Sequence, residues 1–513
     1  MQRLFLTLIA LITLAPVAQA AGAKRPNILF IFSDDQNFKT VSCYPDHLPG
    51  VNTPNIDALA KTGIRFSYAY MGSWCMPSRA SLLTGHHPHG IESMTMEGTY
   101  PGSKYDPEVC QFWPKVMRQQ GYFTAQIGKW HTGTDSGWGR DWDHQIVWNR
   151  PLHPENSGAY YADQIITEDG VERQVDGYST DNYSQWAADF IKGKKRDPEK
   201  PWYLWLCYGA IHGPTTPADR HKGKHKKDEV VIPADIFGPR PGKPDYLDKT
   251  QAWNKGPDGQ PVAGKGGEAA GKGSGKGKSF ADFVHQSNDC VEALDEGIGA
   301  VMTALRESGQ LDNTLVIFTA DQGFGMGEHG FRMKLGPWDA TYRSPMVVSM
   351  PSRFPQGKVC GRPVHGVDVV STILATAQIK EPWAMHGHDL TPLLQDPESA
   401  AWPHLCLYEH TGRSYGGEVG TMLKQDPDGA VHSNVPWYFA VNDGRWKYIR
   451  YLKKGETEEL YDLQADPEEL TNLANDSAQK ENLERLRAAA VAELRRTGAS
   501  YVDELPPSKQ MRP

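Results

Sequence analysis

The sequence lacks an excess of basic residues, a sustained repeat and, beyond its N-terminus, long apolar runs. Its 513 residues include 54 basic and 62 acidic ones, and the resulting charge of −8 argues against a dedicated nucleic-acid binder. The absence of any sustained period excludes collagen and coiled coils. No segment after residue 20 reaches the ~18 consecutive apolar residues of a membrane span. With 39% apolar residues, the chain is long enough for two or three globular domains.

Residues 1–20 predict a signal peptide. Arg3 gives a positive start, residues 4–14 form an almost unbroken apolar run, and residues 18–20 (AQA) match a small-x-small cleavage site. A buried N-terminal helix is the alternative. We therefore expect export to the periplasm or the medium, without a membrane span. Cysteines can pair in such a compartment, and the chain has an odd number of them, seven.

Residues 21–382 have the pattern of an α/β fold with a large, mostly parallel central sheet between helices. Continuous apolar runs indicate strands that are buried on both faces. Helical patterns cover residues 54–63, 107–120 and 288–308, and such alternation is typical of an α/β sandwich. The predicted strands are residues 27–33, 122–128, 202–208, 314–320 and 346–350.

Residues 383–513 predict a smaller antiparallel sheet followed by one helix. Short strand patterns at 437–441, 446–452 and 459–463 precede an amphipathic stretch at 480–496. An insertion at about residues 218–279 interrupts the larger domain. It contains a basic run, residues 220–227, and a Gly/Lys-rich tract, residues 255–278, and its composition predicts a mobile loop.

Polar residues follow four of the apolar strands directly. The carboxyl ends of parallel strands share one edge, where ligands bind, so we expect these residues to converge. Each alone has an ordinary explanation, such as a turn, a helix cap or a core histidine. Three carboxylates and one amide favour calcium or magnesium over zinc, and the histidines are candidates for proton transfer. The residues are Asp34, Asp35, Lys129, His131, His212, Asp321 and Gln322.

Cys75 supplies a candidate nucleophile. Pro77 and Ser78 predict the start of a helix, which places Cys75 at its positive N-terminal end. That position is expected to lower the pKa of a thiol. The alternative is a structural or disulfide-bonded cysteine at a helix start.

With these residues in view, the sequence resembles the formylglycine-dependent sulfatases of the alkaline phosphatase-like superfamily. Residues 75–79 (CMPSR) match the family's modification signature, Cys-x-Pro-Ser-Arg, and continue as SLLTG at 81–85. The resemblance extends over nearly the whole chain that follows residue 24. Its further motifs are residues 25–28, 53–60, 128–131, 212–214, 321–323, 327–330 and 460–463, together with Lys334.

The resemblance implies that a maturation enzyme, of the formylglycine-generating or the sulfatase-maturing type, oxidises Cys75 to formylglycine. The hydrated aldehyde would attack sulfur, and its second hydroxyl would then expel sulfate. Arg79 would support the diol and His131 would assist its release. Lys129 and Lys334 would bind sulfate oxygens, and His212 would protonate the leaving alcohol.

The resemblance also implies a calcium ion held by Asp34, Asp35, Asp321, Gln322 and the diol of residue 75. One position departs from the family pattern. Gln322 stands where asparagine is more common, and its side chain is one methylene longer. The remaining motif histidine, His329, is either a second proton-transfer group or structural.

A sulfated poly- or oligosaccharide is the favoured substrate. The basic run at 220–227 would attract a polyanion, and Trp138, Trp142 and Trp148 would offer flat faces to sugar rings. A solvated loop and a local core are the respective alternatives. Two functional alternatives also remain, a phosphodiester or phosphonate monoester hydrolase and a non-catalytic glycan-binding relative.

If Cys75 is converted, six cysteines remain. They could form up to three disulfides, in arrangements that the sequence does not distinguish. Cys207 lies in a predicted buried strand and fits a free core thiol. The six are Cys43, Cys110, Cys207, Cys290, Cys360 and Cys406.

Overall fold

A computed structural model describes residues 24–95, 103–264, 278–399 and 401–507. The predicted signal peptide and residues 265–277 of the Gly/Lys-rich tract lie outside the described residues.

The described strands are β1 Asn27–Ser33, β2 Ile64–Phe66, β3 Ala69–Tyr70, β4 Phe123–Lys129, β5 His144–Trp148, β6 Gln164–Glu168, β7 Val171–Val175, β8 Trp202–Cys207, β9 Trp253–Lys255, β10 Pro261–Ala263, β11 Thr314–Ala320, β12 Arg343–Ser344, β13 Met346–Ser349, β14 Lys358–Cys360, β15 Val364–His365, β16 Cys406–His410, β17 Val431–His432, β18 Val435–Pro436, β19 Tyr438–Asn442, β20 Trp446–Tyr451 and β21 Glu459–Asp462. The described α-helices are α1 Pro54–Lys61, α2 Cys75–Thr84, α3 Pro114–Gln119, α4 Ser179–Ile191, α5 Leu247–Thr250, α6 Phe280–Glu307, α7 Asp339–Tyr342, α8 Gly366–Thr376, α9 Thr391–Gln395, α10 Gly417–Gln425 and α11 Lys480–Arg496.

A mixed sheet of ten strands forms the centre of the fold, in the order β14-β2-β13-β11-β1-β8-β4-β5-β6-β7. Its middle five strands, β11-β1-β8-β4-β5, are all parallel. Antiparallel pairings flank them on both sides, at β13 and at β6. The predicted fold class is confirmed, and the parallel part is the core of the sheet.

Strand β1 shows why the central strands are continuously apolar. Ile28, Phe30 and Phe32 pack on one face of the sheet in a cluster with residues of α2, α3 and α8. Leu29 and Ile31 pack on the other face with α1, α4 and α6. Each such side chain contributes about 1.5–3 kcal/mol when fully buried. Burial on both faces holds the sheet rigid beneath the polar residues at its edge.

The C-terminal residues form an antiparallel sheet, β16-β19-β20-β21, with α11 beside it. Its second face packs against the larger part of the chain. There Tyr408 stacks on Tyr70 with ring centroids 4.6 Å apart, and the Asn442 amide donates to the Tyr70 hydroxyl at 2.7 Å. The predicted division near residue 382 stays a prediction, and the contacts across it are extensive.

The predicted helix at 107–120 is wrong in its first half. The helix begins only at Pro114, and residues 106–113 form turns, with the Cys110 N–H donating to the Asp106 carbonyl. Proline lacks the N–H that a helix interior requires, so Pro114 can open a helix but not sit within one. By contrast, α6 begins earlier than predicted, at Phe280, because Ser279 caps it.

The described residues of the insertion make specific contacts with α6. Its basic run lies along α6, where Arg220 pairs with Glu296 at 2.9 Å and His225 pairs with Glu292 at 2.9 Å. Trp253 and neighbouring apolar residues of the insertion pack on the start of α6. Arg220, Lys224 and His225 of the run are therefore paired with acidic side chains of this chain.

All seven cysteines lie within the described residues, and all are free thiols. None of the disulfides that the sequence allowed is formed, and six of the seven thiols are buried. Cys207 is a buried free thiol, as expected. Among the described helices, none has both the length and the apolar character needed to cross a bilayer.

Lys447 of β20 connects the C-terminal sheet to α7 and offers a test of that contact. Its buried ammonium contacts Asp339 and lies 2.8 Å from a Glu469 carboxylate oxygen. Lys447→Met leaves two buried carboxylates without this cation, so we expect the free energy of unfolding in urea to fall by about 3–5 kcal/mol. Lys480→Met, at an exposed position, is the control and should change it by no more than about 0.5 kcal/mol. Equal losses in the two variants would contradict this account.

Candidate active site

The structure brings the predicted polar residues into one buried cluster. They come from the carboxyl ends of four parallel strands, and α2 adds its first two turns from the side. Asp34 and Asp35 follow β1, Lys129 ends β4, His212 follows β8, Asp321 and Gln322 follow β11, and Cys75 and Arg79 lie on α2.

Asp34 is the centre of the cluster and is fully buried. One carboxylate oxygen contacts the Lys129 ammonium and lies 3.6 Å from an Arg79 nitrogen. The other accepts a hydrogen bond from the Cys75 thiol at 3.3 Å. Burial opposes ionisation, yet the nearby cations, Lys129 first, hold the pKa of Asp34 well below its usual value. Asp34 is therefore a carboxylate.

Asp35, Asp321 and Gln322 form the second part of the cluster. The Asp35 N–H donates to Asp321 Oδ1 at 2.9 Å, and the Gln322 amide nitrogen contacts Asp35 Oδ1. The Gln322 oxygen accepts from the Ser78 hydroxyl at 3.3 Å. Burial, and then the Asp34 charge, raise the pKa of Asp321 to about 7. Three carboxyl groups thus lie close together in a dry site.

Lys129 and Arg79 depend on a close approach of β4 to β8. Gly128 has φ +101°, and a Cβ there would lie 2.0 Å from the Cys207 carbonyl oxygen, so only glycine fits. The Arg79 guanidinium donates to the Lys129 carbonyl at 2.9 Å and to Asp321 Oδ2 at 3.3 Å. These contacts fix both cations.

Cys75 is buried and faces both candidate metal ligands and cations. Its sulfur lies 2.9 Å from the Lys334 ammonium and 3.8 Å from the Gln322 amide nitrogen. Burial, and then the charge of Asp34, raise the pKa of the Cys75 thiol to about 12. Desolvation and the Asp34 charge thus act against the lowering expected from the helix N-terminus.

Both predicted histidines border the cluster. His131 is buried with φ +61°, and burial together with Lys129 holds its pKa well below the usual value. His212 Nε2 lies 3.6 Å from Asp35 Oδ2, and burial together with Lys334 lowers its pKa in the same way.

The cluster opens toward solvent at His212 and Lys334. Their side chains are 20% and 13% exposed, whereas those of Asp34, Arg79 and Lys129 are fully buried. Lys334 also lies 2.6 Å from Asp35 Oδ1. A ligand that reaches Cys75 therefore passes these two side chains.

The donor set fits a divalent cation. Within the described part of the chain, one group of His, Cys, Asp and Glu side chains has ligand atoms all within 4.8 Å of one another, namely Asp34, Asp35, Cys75 and His212. Crowded buried carboxylates are the ligands that a hard cation prefers. Gln322 turns its amide nitrogen toward Asp35, so its oxygen could bind a metal only after a half-turn of the amide.

A protein-family model described as Sulfatase matches residues 26–379. The chain belongs to the sulfatase family. A second model, described as N-sulphoglucosamine sulphohydrolase, C-terminal, matches residues 427–496 of this sulfatase. The predicted family and enzyme class are thereby confirmed.

Curated relatives of this sulfatase include carbohydrate sulfatases. An N-acetylglucosamine-6-O-sulfatase of Bacteroides thetaiotaomicron is 29% identical over 513 residues, which cover 91% of this chain and 86% of that protein. A ulvan-active sulfatase of Formosa agariphila is 24% identical and covers 95% of this chain and 84% of its own.

Solved structures share the fold. One, in complex with its substrate D-glucosamine-2-N,6-O-disulfate, is 25% identical, with a TM-score of 0.78, and covers 94% of this chain and 100% of that one. A phosphonate monoester hydrolase of Silicibacter pomeroyi has a TM-score of 0.68 at 20% identity, over 93% of this chain and 96% of that one. The second likeness shows that the sulfatase fold also occurs in an enzyme with a different ester preference.

Two of the three tryptophans expected to face a sugar do not, and His329 has a partner outside the site. Trp142 and Trp148 are fully buried core residues, and only Trp138 is exposed. Trp148 is the last residue of β5 and packs edge-on against Tyr160, and the Trp142 ring, just before β5, stacks on Trp205 of β8. His329 is also buried, with Nδ1 2.7 Å from Asp235, and so has a structural partner outside the cluster.

Tyr160 is a neighbour of the site that the sequence did not reveal. Its ring stacks on His212, with centroids 4.0 Å apart. It lies in a loop between β5 and β6, outside every motif. The only signal was a pair of adjacent tyrosines, 160 and 161, in a stretch flanked by small residues.

Proposed function

We propose that this sulfatase hydrolyses sulfate esters of carbohydrates with Cys75, converted to formylglycine, as nucleophile and calcium as cofactor. The observation that carries the proposal is the position of Cys75. Its side chain reaches both Asp34, a candidate calcium ligand, and Lys334, a candidate sulfate ligand, at contact distance.

The charges of the cluster support an anionic substrate. Arg79, Lys129 and Lys334 offset three carboxyl groups, so a bound divalent cation would leave the site with an excess of positive charge. That excess would attract a sulfate ester and stabilise charge that develops on its oxygens. Bound calcium would supply Lewis-acid polarisation of the ester and of the nucleophile.

The residue roles follow from position. Asp34, Asp35, Asp321 and the rotated amide of Gln322 would hold calcium, together with the oxygen of modified residue 75. Lys129 and Lys334 would bind sulfate oxygens, because they flank residue 75. Arg79 would orient the nucleophile.

The two histidines would move protons at different depths of the site. His131 is fully enclosed beside Lys129 and would take the proton that accompanies sulfate release. His212 lies at the opening and would protonate the leaving alcohol there.

A sulfated sugar is the substrate class that the relatives' named activities favour. We further propose export by residues 1–20 and modification of Cys75 by a dedicated maturation enzyme. The phosphonate monoester hydrolase likeness keeps a phosphodiester or phosphonate monoester substrate as the second candidate.

Cys75 conversion is tested by peptide mass spectrometry of protein from its native host. We expect an aldehyde in place of the thiol, with sulfur replaced by oxygen. Cys75→Ala should abolish sulfate release while leaving the fold intact, because the nucleophile is lost. Cys43→Ala, at a partly exposed cysteine outside the cluster, is the matched control. Full activity in Cys75→Ala would refute the mechanism.

The calcium site is tested by chelation and thermal unfolding. Calcium added at about 100 times its dissociation constant should stabilise the chelated enzyme by about 2.7 kcal/mol, because it binds only the folded state. Asp321→Asn should reduce that gain, whereas the exposed-site control Asp258→Asn should keep it. Equal responses of the two variants, or no response of the wild type, would exclude calcium at this site.

Ester preference is tested with matched substrates. We expect faster turnover of an aryl sulfate than of the corresponding aryl phosphate diester, measured as kcat/KM on one preparation. The opposite order would favour the second candidate function.

A further inference from the structure

His212 sits against an aromatic face rather than free at the opening of the site. The Tyr160 ring lies 4.0 Å from the imidazole, centroid to centroid, with only 4° between the two planes. Tyr160 is almost fully buried, whereas a fifth of the His212 side chain is exposed. The partly exposed ring is therefore held by a buried one.

The stack leaves the reactive edge of the imidazole available. The Tyr160 oxygen is 3.2 Å from His212 Nε2, a separation that in two parallel stacked rings places the hydroxyl above the imidazole plane. The in-plane direction of Nε2 is not occupied by this contact. At the other ring nitrogen, Nδ1 lies 2.5 Å from the Gly213 carbonyl oxygen and donates to it. The proton that passes to the departing oxygen is then the Nε2 proton of the imidazolium, and its transfer leaves a neutral ring protonated at Nδ1.

The adjacent tyrosine holds the backbone of the same histidine. The Tyr161 hydroxyl donates to the His212 carbonyl at 2.8 Å. Tyr160 and Tyr161 thus contact the side chain and the main chain of His212 from one short segment.

Tyr160 is itself rigidly placed. The edge of Trp148 meets its ring with centroids 4.7 Å apart, and the Ser179 hydroxyl donates to its carbonyl at 2.7 Å. The Lys129 ammonium lies 5.1 Å from the ring centroid on the side of the cluster. The ring therefore ties His212 to β4 and β5, the rigid part of the sheet.

We propose that Tyr160 is the positioning residue of His212, acting through the face of its ring and not through its hydroxyl. The proposal rests on the proposed function, in which His212 protonates the leaving alcohol. Without the stack, the imidazole would rotate away from the line between Nε2 and the departing oxygen.

The effect of losing the stack on the rate should therefore depend on the leaving group. A sugar alkoxide is a poor leaving group and needs the proton, whereas nitrophenolate leaves without one. Loss of the stack should therefore slow sugar sulfates far more than nitrophenyl sulfate, and should act on kcat more than on KM.

Tyr160→Leu and Tyr160→Phe separate the ring from the hydroxyl. We expect Tyr160→Leu to lower kcat about 10- to 100-fold on a sulfated monosaccharide and less than about 3-fold on 4-nitrophenyl sulfate. Tyr160→Phe should keep activity near the wild type on both substrates. Tyr203→Leu is the matched control, since Tyr203 is equally buried and stacks on Trp142 away from the site. It should reduce stability without changing the ratio of the two rates.

Two results would overturn the proposal, namely equal losses on both substrates in Tyr160→Leu, or a Tyr160→Phe variant as slow on the sugar sulfate as Tyr160→Leu. A second measurement does not need sulfatase activity. Diethyl pyrocarbonate should modify His212 several-fold faster in Tyr160→Leu than in the wild type or in Tyr203→Leu, as followed by peptide mass spectrometry. An unchanged rate would refute the positioning role. A wild type inactive on every sulfate would reject the proposed function while this readout still tests the stack.

Discussion

The site depends on the contact of Asp34 with Lys129 and Arg79 in a place that water does not reach. An isolated carboxylate there would be too costly to keep ionised. The Lys129 and Arg79 charges stabilise the buried carboxylate, and β4 and α2 hold these two side chains in place. The fold therefore has to bring three distant segments together before any one of these side chains can be buried in its charged form.

The same arrangement explains why the charged groups lie at one sheet edge. Parallel strands covered on both faces leave their carboxyl ends as the place where polar side chains can collect without breaking the apolar layers. The two histidines then differ by depth. His131 is enclosed by cations, and His212 stands at the opening between Lys334 and Tyr160.

The sequence predicted the central strands closely, because apolar runs such as 27–33 and 314–320 have no other place than a covered sheet. It also predicted that Asp34, Lys129 and Asp321 would meet, since strand polarity alone requires it. It placed the start of this helix at residue 107 rather than at Pro114, although proline cannot lie inside a helix. For the basic run at 220–227 and the tryptophans at 142 and 148, the sequence left two alternatives open, because composition does not reveal a partner. Only the fold supplies the acidic face of α6 and the core under β5. Tyr160 shows the same limit, because no sequence motif marks a residue whose ring stacks on His212.

The burial of residue 75 constrains the order in which the chain folds and Cys75 is modified. Its side chain is 1% exposed and is enclosed by the cluster and by α2. A modifying enzyme needs access to the thiol and to the residues around it, and the folded chain offers neither. The proposed conversion of Cys75 therefore has to occur while residues 75–79 are still extended, during synthesis or translocation. Under this proposal, a molecule that folds first would keep its thiol.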